Sequence, residues 1–322
     1  MTVSVLVPIY NVEKYISRCA ISLFEQTYRD IEYVFVDDCS PDKSLEALNH
    51  VIQQYPDREA GTTIIRHSFN RGLAAARNTA IECCTGDFLI HVDSDDYLSL
   101  DAVEKLVKRQ VETGADIVTG QVIRLSNGMM TMMERPQFNN HDDFVEDMII
   151  PTIHHAIWGR LIRKALYTKH HIRAKEGVDI GEDMQVMASL TYYAQKVESV
   201  WDVVYYYEET NEKSYMNQYD HLSPFRLRQD IASMEVVRDF FVGKNERFQN
   251  VAERYLYDYY WTLLEILGKD ITPTEFTAIK RLLAQLRPLN CKKSVKRQIK
   301  ASHYLIFIAA KHLAGFLLKQ KA

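Results

Sequence analysis

The sequence contains few cysteines, and their spacing excludes several classes of protein. Five cysteines occur in 322 residues, and none has the paired spacing of a zinc site or a small disulfide framework. The apolar run at the N-terminus is short and follows no basic segment, so we expect a buried strand there and no signal peptide. The sequence also lacks internal repeats and low-complexity segments. We therefore expect a globular cytoplasmic protein with reduced thiols.

Charge is unevenly distributed along the chain. Residues 1–290 carry 31 basic and 43 acidic side chains, a net charge of −12, whereas residues 291–322 carry eight Lys or Arg and no Asp or Glu. The apolar segment 304–318 within this basic tail is shorter than the about 20 residues of a spanning helix. Two interpretations of the tail remain equally open. It is either a helix lying on an anionic membrane surface or a terminal helix packed on the domain.

Apolar runs alternate with amphipathic stretches through the first third of the chain. This alternation predicts βαβ units, and hence an α/β fold with a mostly parallel sheet flanked by helices. In such sheets ligands bind at the carboxyl ends of the strands, so the loops after Ile9, Val36 and Val92 should face one crevice. The predicted strands cover residues 3–9, 31–36, 62–66, 88–92 and 116–119, and the predicted helices cover 12–26, 44–54, 73–84 and 101–113.

Helical patterns dominate the rest of the chain. Asn127-Gly128 first predicts the turn of a β-hairpin. Further helices are predicted at residues 155–167, 183–193, 226–242, 251–267 and 273–286. We therefore divide the chain into a main α/β domain over residues 1–222 and a helical C-terminal region over residues 223–322, which ends in the basic amphipathic tail.

Three acidic residues follow the predicted strand at 88–92. Asp93 and Asp95 are two positions apart and project to the same side of an extended segment, which suits the oxygen ligands of a divalent cation. The alternative is that residues 93–96 cap the following helix, an interpretation that suits Asp96. Three clustered carboxylates would repel one another without a cation between them. We therefore favour a metal site at Asp93 and Asp95.

Other polar blocks are ambiguous when taken alone. Asp37 and Asp38 follow a predicted strand and suit hydrogen bonds from a base or a ribose, but they also suit a helix cap. The segment 70–78 places two arginines at a helix start, where they suit phosphate. Glu182 and Asp183 precede a predicted helix, and alone they indicate only a cap that complements the helix dipole.

Together these blocks resemble family 2 of the glycosyltransferases, inverting enzymes with the GT-A fold. The resemblance is dense over residues 2–120, through VSVLVPIYNVEKYISRCAISLFEQTYRDIEYVFVDDCSPDKS and NRGLAAARNTAIECCTGDFLIHVDSDDYLS, which ends in the Asp-x-Asp motif. Later it is sparse, with HAIWGRLIRKALY and IGEDM as landmarks. It implies a nucleotide-sugar-binding half at residues 1–120 and an acceptor half with the catalytic base at residues 121–222, in a bacterial polysaccharide-type enzyme.

The resemblance also implies how the donor is held. Pro8, Tyr10 and Asn11 match the loop against the nucleobase, with the Tyr10 ring available for stacking. Asp38, with Asp37 beside it, matches the acid that recognises uracil and ribose in UDP-sugar enzymes. Further substrate-binding candidates within or beside these motifs are Glu13, Arg71, Ser94 and Glu182.

The resemblance implies the reacting groups as well. Arg77 matches a basic position close to the diphosphate, and Asp93 and Asp95 match the motif that holds ribose and Mn²⁺ or Mg²⁺. Asp183 matches the catalytic base, and one base without a protein nucleophile means a single displacement with inversion. Trp158 matches a residue bordering the acceptor site, although a helix-core aromatic is nearly as compatible with the pattern.

Two departures from the family pattern are visible. The family often has glycine where Cys39 stands, and no histidine of this sequence can be assigned as a late metal ligand.

We expect a metal-dependent hexosyl- or acetamidohexosyltransferase that uses a UDP-sugar and acts on a saccharide or lipid-linked hydroxyl in cell-surface polysaccharide synthesis. It would be cytoplasmic or peripheral on the inner face of the membrane. The alternative is a catalytically silent nucleotide-sugar-binding subunit. A nucleotidyltransferase is disfavoured because its Gly-rich basic N-terminal loop is missing.

Overall fold

The first part of the chain folds into βα units, as the alternating pattern predicts. The computed structural model describes residues 1–133, 140–150, 152, 155–211, 214, 219–220, 222–267, 272, 274–275 and 277. Its strands are β1 (Val3–Ile9), β2 (Ile31–Asp37), β3 (Thr62–Arg66), β4 (Phe88–His91), β5 (Tyr97–Leu98), β6 (Ile117–Ser126), β7 (Met129–Met133), β8 (Arg160–Arg163) and β9 (Val197–Glu208). Its helices are α1 (Ile16–Phe24), α2 (Ser44–Ile52), α3 (Pro56–Glu59), α4 (Leu73–Cys83), α5 (Ala102–Thr113), α6 (His141–Ile149), α7 (Lys164–Lys169), α8 (Glu182–Tyr193), α9 (Pro224–Phe241) and α10 (Glu246–Leu267).

The described strands join one sheet in the order β3-β2-β1-β4-β8-β6-β9-β5, and β7 pairs with β6. Strands β3, β2, β1 and β4 are parallel, while β8 is antiparallel to both β4 and β6. Both faces of β1 are buried, because Val5 and Val7 pack into one apolar cluster and Leu6 into another. Helices covering both faces of a sheet are typical of α/β proteins, so the predicted fold class is confirmed.

The hairpin prediction is confirmed, whereas the helix predicted at residues 155–167 is helical only at its end, within α7 (Lys164–Lys169). Asn127 and Gly128 have φ values of 49° and 77° and connect β6 to β7. Residues 160–163 instead form β8, whose Leu161 and Ile162 are fully buried. Pairing with β4 and β6 on both sides outweighs the local helical periodicity of this segment. Strand β9 has no counterpart among the predicted elements.

The C-terminal helices pack directly on the α/β part of the molecule. Ser223 accepts a hydrogen bond from the backbone N–H of Arg226 and so caps α9, and Pro224 occupies its first turn. Helix α9 packs on α8 and α10, and Met184 of α8 lies in the same apolar cluster as Ile231 of α9. The proposed boundary near residue 222 therefore separates two regions that share a core.

None of the helices in the described part of the chain is long and apolar enough to cross a bilayer. Of the helix predicted at residues 273–286, only 274–275 and 277 are described. The basic tail at residues 291–322 lies outside the described residues, so its membrane contact stays a prediction.

Candidate active site

An open cleft of about 660 Å³ lies at the carboxyl ends of the parallel strands. Tyr10 enters its wall after β1, Asp38 after β2 and Asp93 after β4, which confirms the crevice expected from the strand order. Helices α4, α8, α9 and α10 contribute further residues to the wall. The cleft is lined by ten of the residues predicted from the sequence: Pro8, Tyr10, Asp38, Arg77, Asp93, Ser94, Asp95, Trp158, Glu182 and Asp183.

Asp38 joins two loops at one end of the cleft. Its buried carboxylate accepts hydrogen bonds from His67 Nδ1 at 2.7 Å and from the backbone N–H groups of Arg71 at 2.8 Å and Gly72 at 2.7 Å. The loop after β2 is thereby fixed against the start of α4. Tyr10 is 44% exposed, so its ring can stack on a planar ligand at this end.

Asn11 and Glu13 do not line the cleft but fasten the loop after β1 to the loop after β2. The backbone N–H of Asn11 donates to Ser40 Oγ at 3.3 Å, and Glu13 accepts from the backbone N–H of Lys43 at 3.1 Å. Cys39, in the second loop, has φ 60°. Glycine adopts this left-handed conformation without steric cost, which gives a physical reason for the glycine that the family often has there.

Asp37 and Arg71 are also absent from the cleft lining. Asp37 is fully buried, accepts from the backbone N–H of Ser40 at 3.0 Å and pairs with Arg66 at 3.0 Å. The Arg71 guanidinium instead donates to Glu176 at 2.9 Å. In this structure these two side chains organise the loops around the cleft.

Arg77 connects two acidic motifs that line the cleft. Its Nη1 donates to Glu182 and Asp183, and its Nη2 donates to Asp93 at 2.7 Å. Burial opposes the charge of Arg77, but Asp183, Asp93 and Glu182 outweigh it and raise the pKa above its usual value. One buried cation therefore holds Asp93 next to Glu182 and Asp183, which come from a distant part of the sequence.

Asp183 lies in the first turn of α8, after Gly181, whose φ of 79° ends the preceding loop. Its Oδ2 accepts from the backbone N–H of Ile157 at 3.2 Å. Burial raises the pKa of Asp183, and Arg77 opposes this shift. Burial raises the pKa of Glu182, and the negative charge of Asp183 raises it further. A carboxylate with a raised pKa accepts a proton more readily, as a general base requires.

The loop that leads to Asp183 is held by two side chains of α9. Gln229 Oε1 accepts from the backbone N–H groups of Asp179 at 2.8 Å and Ile180 at 3.4 Å. Ser233 Oγ donates to the carbonyl of Gly181 at 2.5 Å. The C-terminal helical region therefore fixes the backbone of residues 179–181, which precede the candidate base Asp183.

Asp95 and Asp96 are adjacent but occupy different environments. Asp95 accepts from Asn211 Nδ2 at 2.8 Å, and burial together with the charge of Asp93 raises its pKa to about 6. Asp96 is fully buried and accepts from Tyr205 Oη at 2.6 Å. Helix α5 begins later, at Ala102, so the interpretation of Asp96 as its cap is wrong.

Trp158 lies before β8 and not in a helix, so the helical part of its alternative interpretation is wrong, but its side chain is buried in the hydrophobic core beside the cleft. Its ring stacks on Tyr205 with centroids 5.0 Å apart and on Tyr207 at 5.4 Å. Because Tyr205 also donates to Asp96, a hydrogen bond connects this aromatic stack to the acidic loop.

The acidic end of the cleft fits a divalent cation in charge and in donor chemistry. Asp93, Asp95, Glu182 and Asp183 line it, and among the described residues Arg77 is the cation that ion-pairs with them. Carboxylate oxygens in excess of positive charge suit Mg²⁺ or Mn²⁺. Within the described part of the chain, no group of three or more His, Cys, Asp or Glu side chains has the arrangement of a metal site, so Asp93 and Asp95 as metal ligands stay a prediction.

Asn211 and Asp179 line the cleft but carry no sequence signal of their own. Asn211 follows β9, which was not predicted, and its contact with Asp95 spans 116 positions. Asp179 accepts from the backbone N–H of Ala74 at 2.9 Å, at the start of α4. A search for polar residues just before the motif IGEDM could have found Asp179, whereas Asn211 required the fold.

Known proteins match both the sequence and the fold. The family model described as "Glycosyl transferase family 2" matches residues 4–173. A protein named "Uncharacterized glycosyltransferase EpsJ" from Bacillus subtilis (strain 168) is 31% identical over 215 residues, which are 64% of this chain and 61% of that protein. The "Poly(ribitol-phosphate) beta-glucosyltransferase" of Bacillus spizizenii is 29% identical over 220 residues, 67% of this chain and 34% of that protein. The match thus covers less than two thirds of either relative.

The fold also matches solved structures. The crystal structure of S. aureus TarS 1-349 in complex with UDP-GlcNAc superposes with a TM-score of 0.64 at 20% identity, covering 96% of this chain and 89% of that one. The expected GT-A fold is therefore confirmed, and the match of the family model confirms the resemblance inferred from the sequence.

Proposed function

Because the chain belongs to glycosyl transferase family 2, we propose that it transfers a sugar from a nucleotide-sugar donor to a hydroxyl group of a saccharide or lipid-linked acceptor. The observation that supports this most strongly is the contact of Arg77 with both Asp93 and Asp183. Donor binding by the Asp-x-Asp motif and base catalysis by Asp183 would therefore take place in one cleft.

The donor that we propose is a UDP-sugar. Asp38 and Tyr10 would bind the uridine, and Asp38 is already fixed by His67 and by two backbone N–H groups. Asp93 and Asp95 would hold Mn²⁺ or Mg²⁺, which supplies positive charge to the diphosphate leaving group. Without that cation, the carboxylates of this cleft would repel the diphosphate.

Asp183 would act as the general base. The acceptor oxygen attacks the anomeric carbon while the bond from that carbon to the diphosphate oxygen breaks, and the acceptor proton passes to the Asp183 carboxylate. Before the proton transfer, Nη1 of Arg77 would stabilise the charge of the Asp183 carboxylate and orient it. A single displacement of this kind inverts the anomeric configuration. A role in cell-surface polysaccharide synthesis follows from the acceptor class.

The test is a screen for nucleotide release with Mn²⁺ across UDP-, GDP- and TDP-sugars, combined with NMR assignment of the product anomer. We expect release from a UDP-sugar and a product of inverted configuration. Tight UDP binding without release from any donor would support the silent-subunit alternative instead. A retained configuration would contradict the single displacement.

A further inference from the structure

Helices α9 and α10 form a wall of the cleft that the donor-binding motifs do not explain. Arg226 and Asp230 line it from α9, and Tyr259 and Thr262 line it from α10. Positions four or three apart lie on one face of a helix, so each pair faces the cleft together. All of them lie beyond residue 173, where the match to the family model ends.

Asp230 is the polar group of this wall that is free to bind a ligand. In the described part of the chain, no side chain or backbone group hydrogen-bonds its carboxylate. Burial raises its pKa to about 6 although Arg226 acts in the opposite direction. Arg226 is itself buried and donates to the carbonyl of Tyr219 at 3.4 Å. A desolvated carboxylate is costly unless a bound group compensates it.

The wall adjoins the loop of the candidate base. Asp230 follows Gln229, which binds the backbone of residues 179 and 180, and Ser233 of the same helix contacts Gly181, two positions before Asp183. The same loop also reaches the start of α4, where Asp179 accepts from the backbone N–H of Ala74 and Asp38 accepts from that of Gly72. A second reactant bound near Asp183 would therefore lie against α9 and α10.

The chemistry of the wall favours hydroxyl groups over phosphate. A carboxylate accepts hydrogen bonds from neighbouring sugar hydroxyls, and the ring of Tyr259 offers an apolar face to a sugar. Asp179, Glu182 and Asp183 line the same cleft, and the acids of the described lining outnumber its arginines, Arg77 and Arg226, so a phosphodiester would meet a net negative charge.

We propose that Asp230 and Tyr259 form the binding site for a neutral saccharide acceptor, an inference that rests on the proposed glycosyltransferase function. Asp230 would hold two hydroxyls of the acceptor sugar, and Tyr259 would stack on its ring. The acceptor is then positioned by the C-terminal helical region, whereas the donor is bound by the N-terminal half.

The test uses Asp230→Asn, with Asp239→Asn as the matched control, because Asp239 is an exposed carboxylate on the same helix. Nucleotide release from the donor that turns over is measured with p-nitrophenyl glycosides of glucose, galactose and N-acetylglucosamine, and with ribitol 5-phosphate. We expect a neutral glycoside to accelerate release, and Asp230→Asn to raise the acceptor KM about 10-fold, the effect of losing a charged hydrogen bond. Asp239→Asn should behave as the wild type.

UDP affinity, measured by calorimetry for each variant, separates this proposal from the proposed function. If donor hydrolysis and UDP binding occur but no neutral glycoside accelerates release, the saccharide site is wrong while the glycosyltransferase function stands. Three results would each overturn the proposal. The first is preferential acceleration by ribitol 5-phosphate, and the second is an unchanged acceptor KM in Asp230→Asn. The third is an effect of this variant on UDP affinity alone. Absence of both UDP binding and donor hydrolysis in the wild type would contradict the proposed function itself.

Discussion

Replacing Asp230 by asparagine should stabilise the protein at neutral pH while weakening its proposed acceptor site. Burial raises the pKa of Asp230 from 3.8 to about 6. The folded state therefore binds a proton more tightly than the unfolded state, so raising the pH from 4 to 6 costs folding free energy. A shift of this size corresponds to at most roughly 3 kcal/mol.

The sign and the pH window follow from the same shift. Below pH 4 the carboxyl group is protonated in both states, so aspartate and asparagine should give nearly equal stability. Between pH 4 and pH 6 the wild type loses stability relative to Asp230→Asn, and above pH 7 the difference is complete. Since the side chain retains partial contact with solvent, we expect a gain of about 1 to 3 kcal/mol in the variant at pH 7.

The assay is urea unfolding, followed by tryptophan fluorescence at intervals from pH 4 to pH 8, for wild type, Asp230→Asn and Asp239→Asn. The difference between wild type and Asp230→Asn should grow with pH, whereas Asp239→Asn should show no comparable trend. A difference independent of pH, or a less stable Asp230→Asn at pH 7, would refute the assignment of a desolvated carboxylate to the cleft wall.

Three further predictions concern the cleft. Gly72→Ala should destabilise the fold by about 1 to 3 kcal/mol in thermal unfolding, because the φ of Gly72 is 92° and a Cβ there would overlap the Asp179 carboxylate. An unchanged melting temperature would contradict this prediction. Gln229→Leu should lower kcat about 10-fold by releasing the loop before α8. The control Gln249→Leu, on α10 outside the cleft lining, should keep the kcat of the wild type. Equal kcat values for the two variants would remove the positioning role of Gln229. EDTA should weaken UDP binding in calorimetry, and equal affinity with and without it would exclude the metal from donor binding.

The parallel part of the fold and the donor end of the cleft could be predicted because their signals are local. Strands β1, β2 and β4 are short runs rich in buried apolar residues, and Asp38 and Asp93 follow β2 and β4 within two positions. The carboxyl ends of parallel strands meet at one edge, so the crevice follows from strand order alone. The role of Asp183 needed the family resemblance, because an acid at a helix start is usually a cap.

The rest depended on contacts between distant parts of the chain. Residues 160–163 have a helical pattern, and only pairing with β4 and β6 makes them a strand. Asn211 reaches Asp95 through β9, and Asp230 reaches the cleft because α9 packs on α8. Local periodicity carries no information on such packing, so the wall formed by α9 and α10 could not be predicted from the sequence.

The central claim is that Asp183 is the base of a glycosyl transfer, and Asp183→Asn tests it most directly. The matched control is Asp142→Asn, because Asp142 is an exposed acid at the same position in the first turn of α6. We predict that Asp183→Asn lowers turnover by about 10² to 10⁴ with nearly unchanged affinity for UDP in the presence of Mn²⁺, whereas Asp142→Asn retains both. Near-normal turnover in Asp183→Asn would contradict the account and leave Asp183 as the cap of α8.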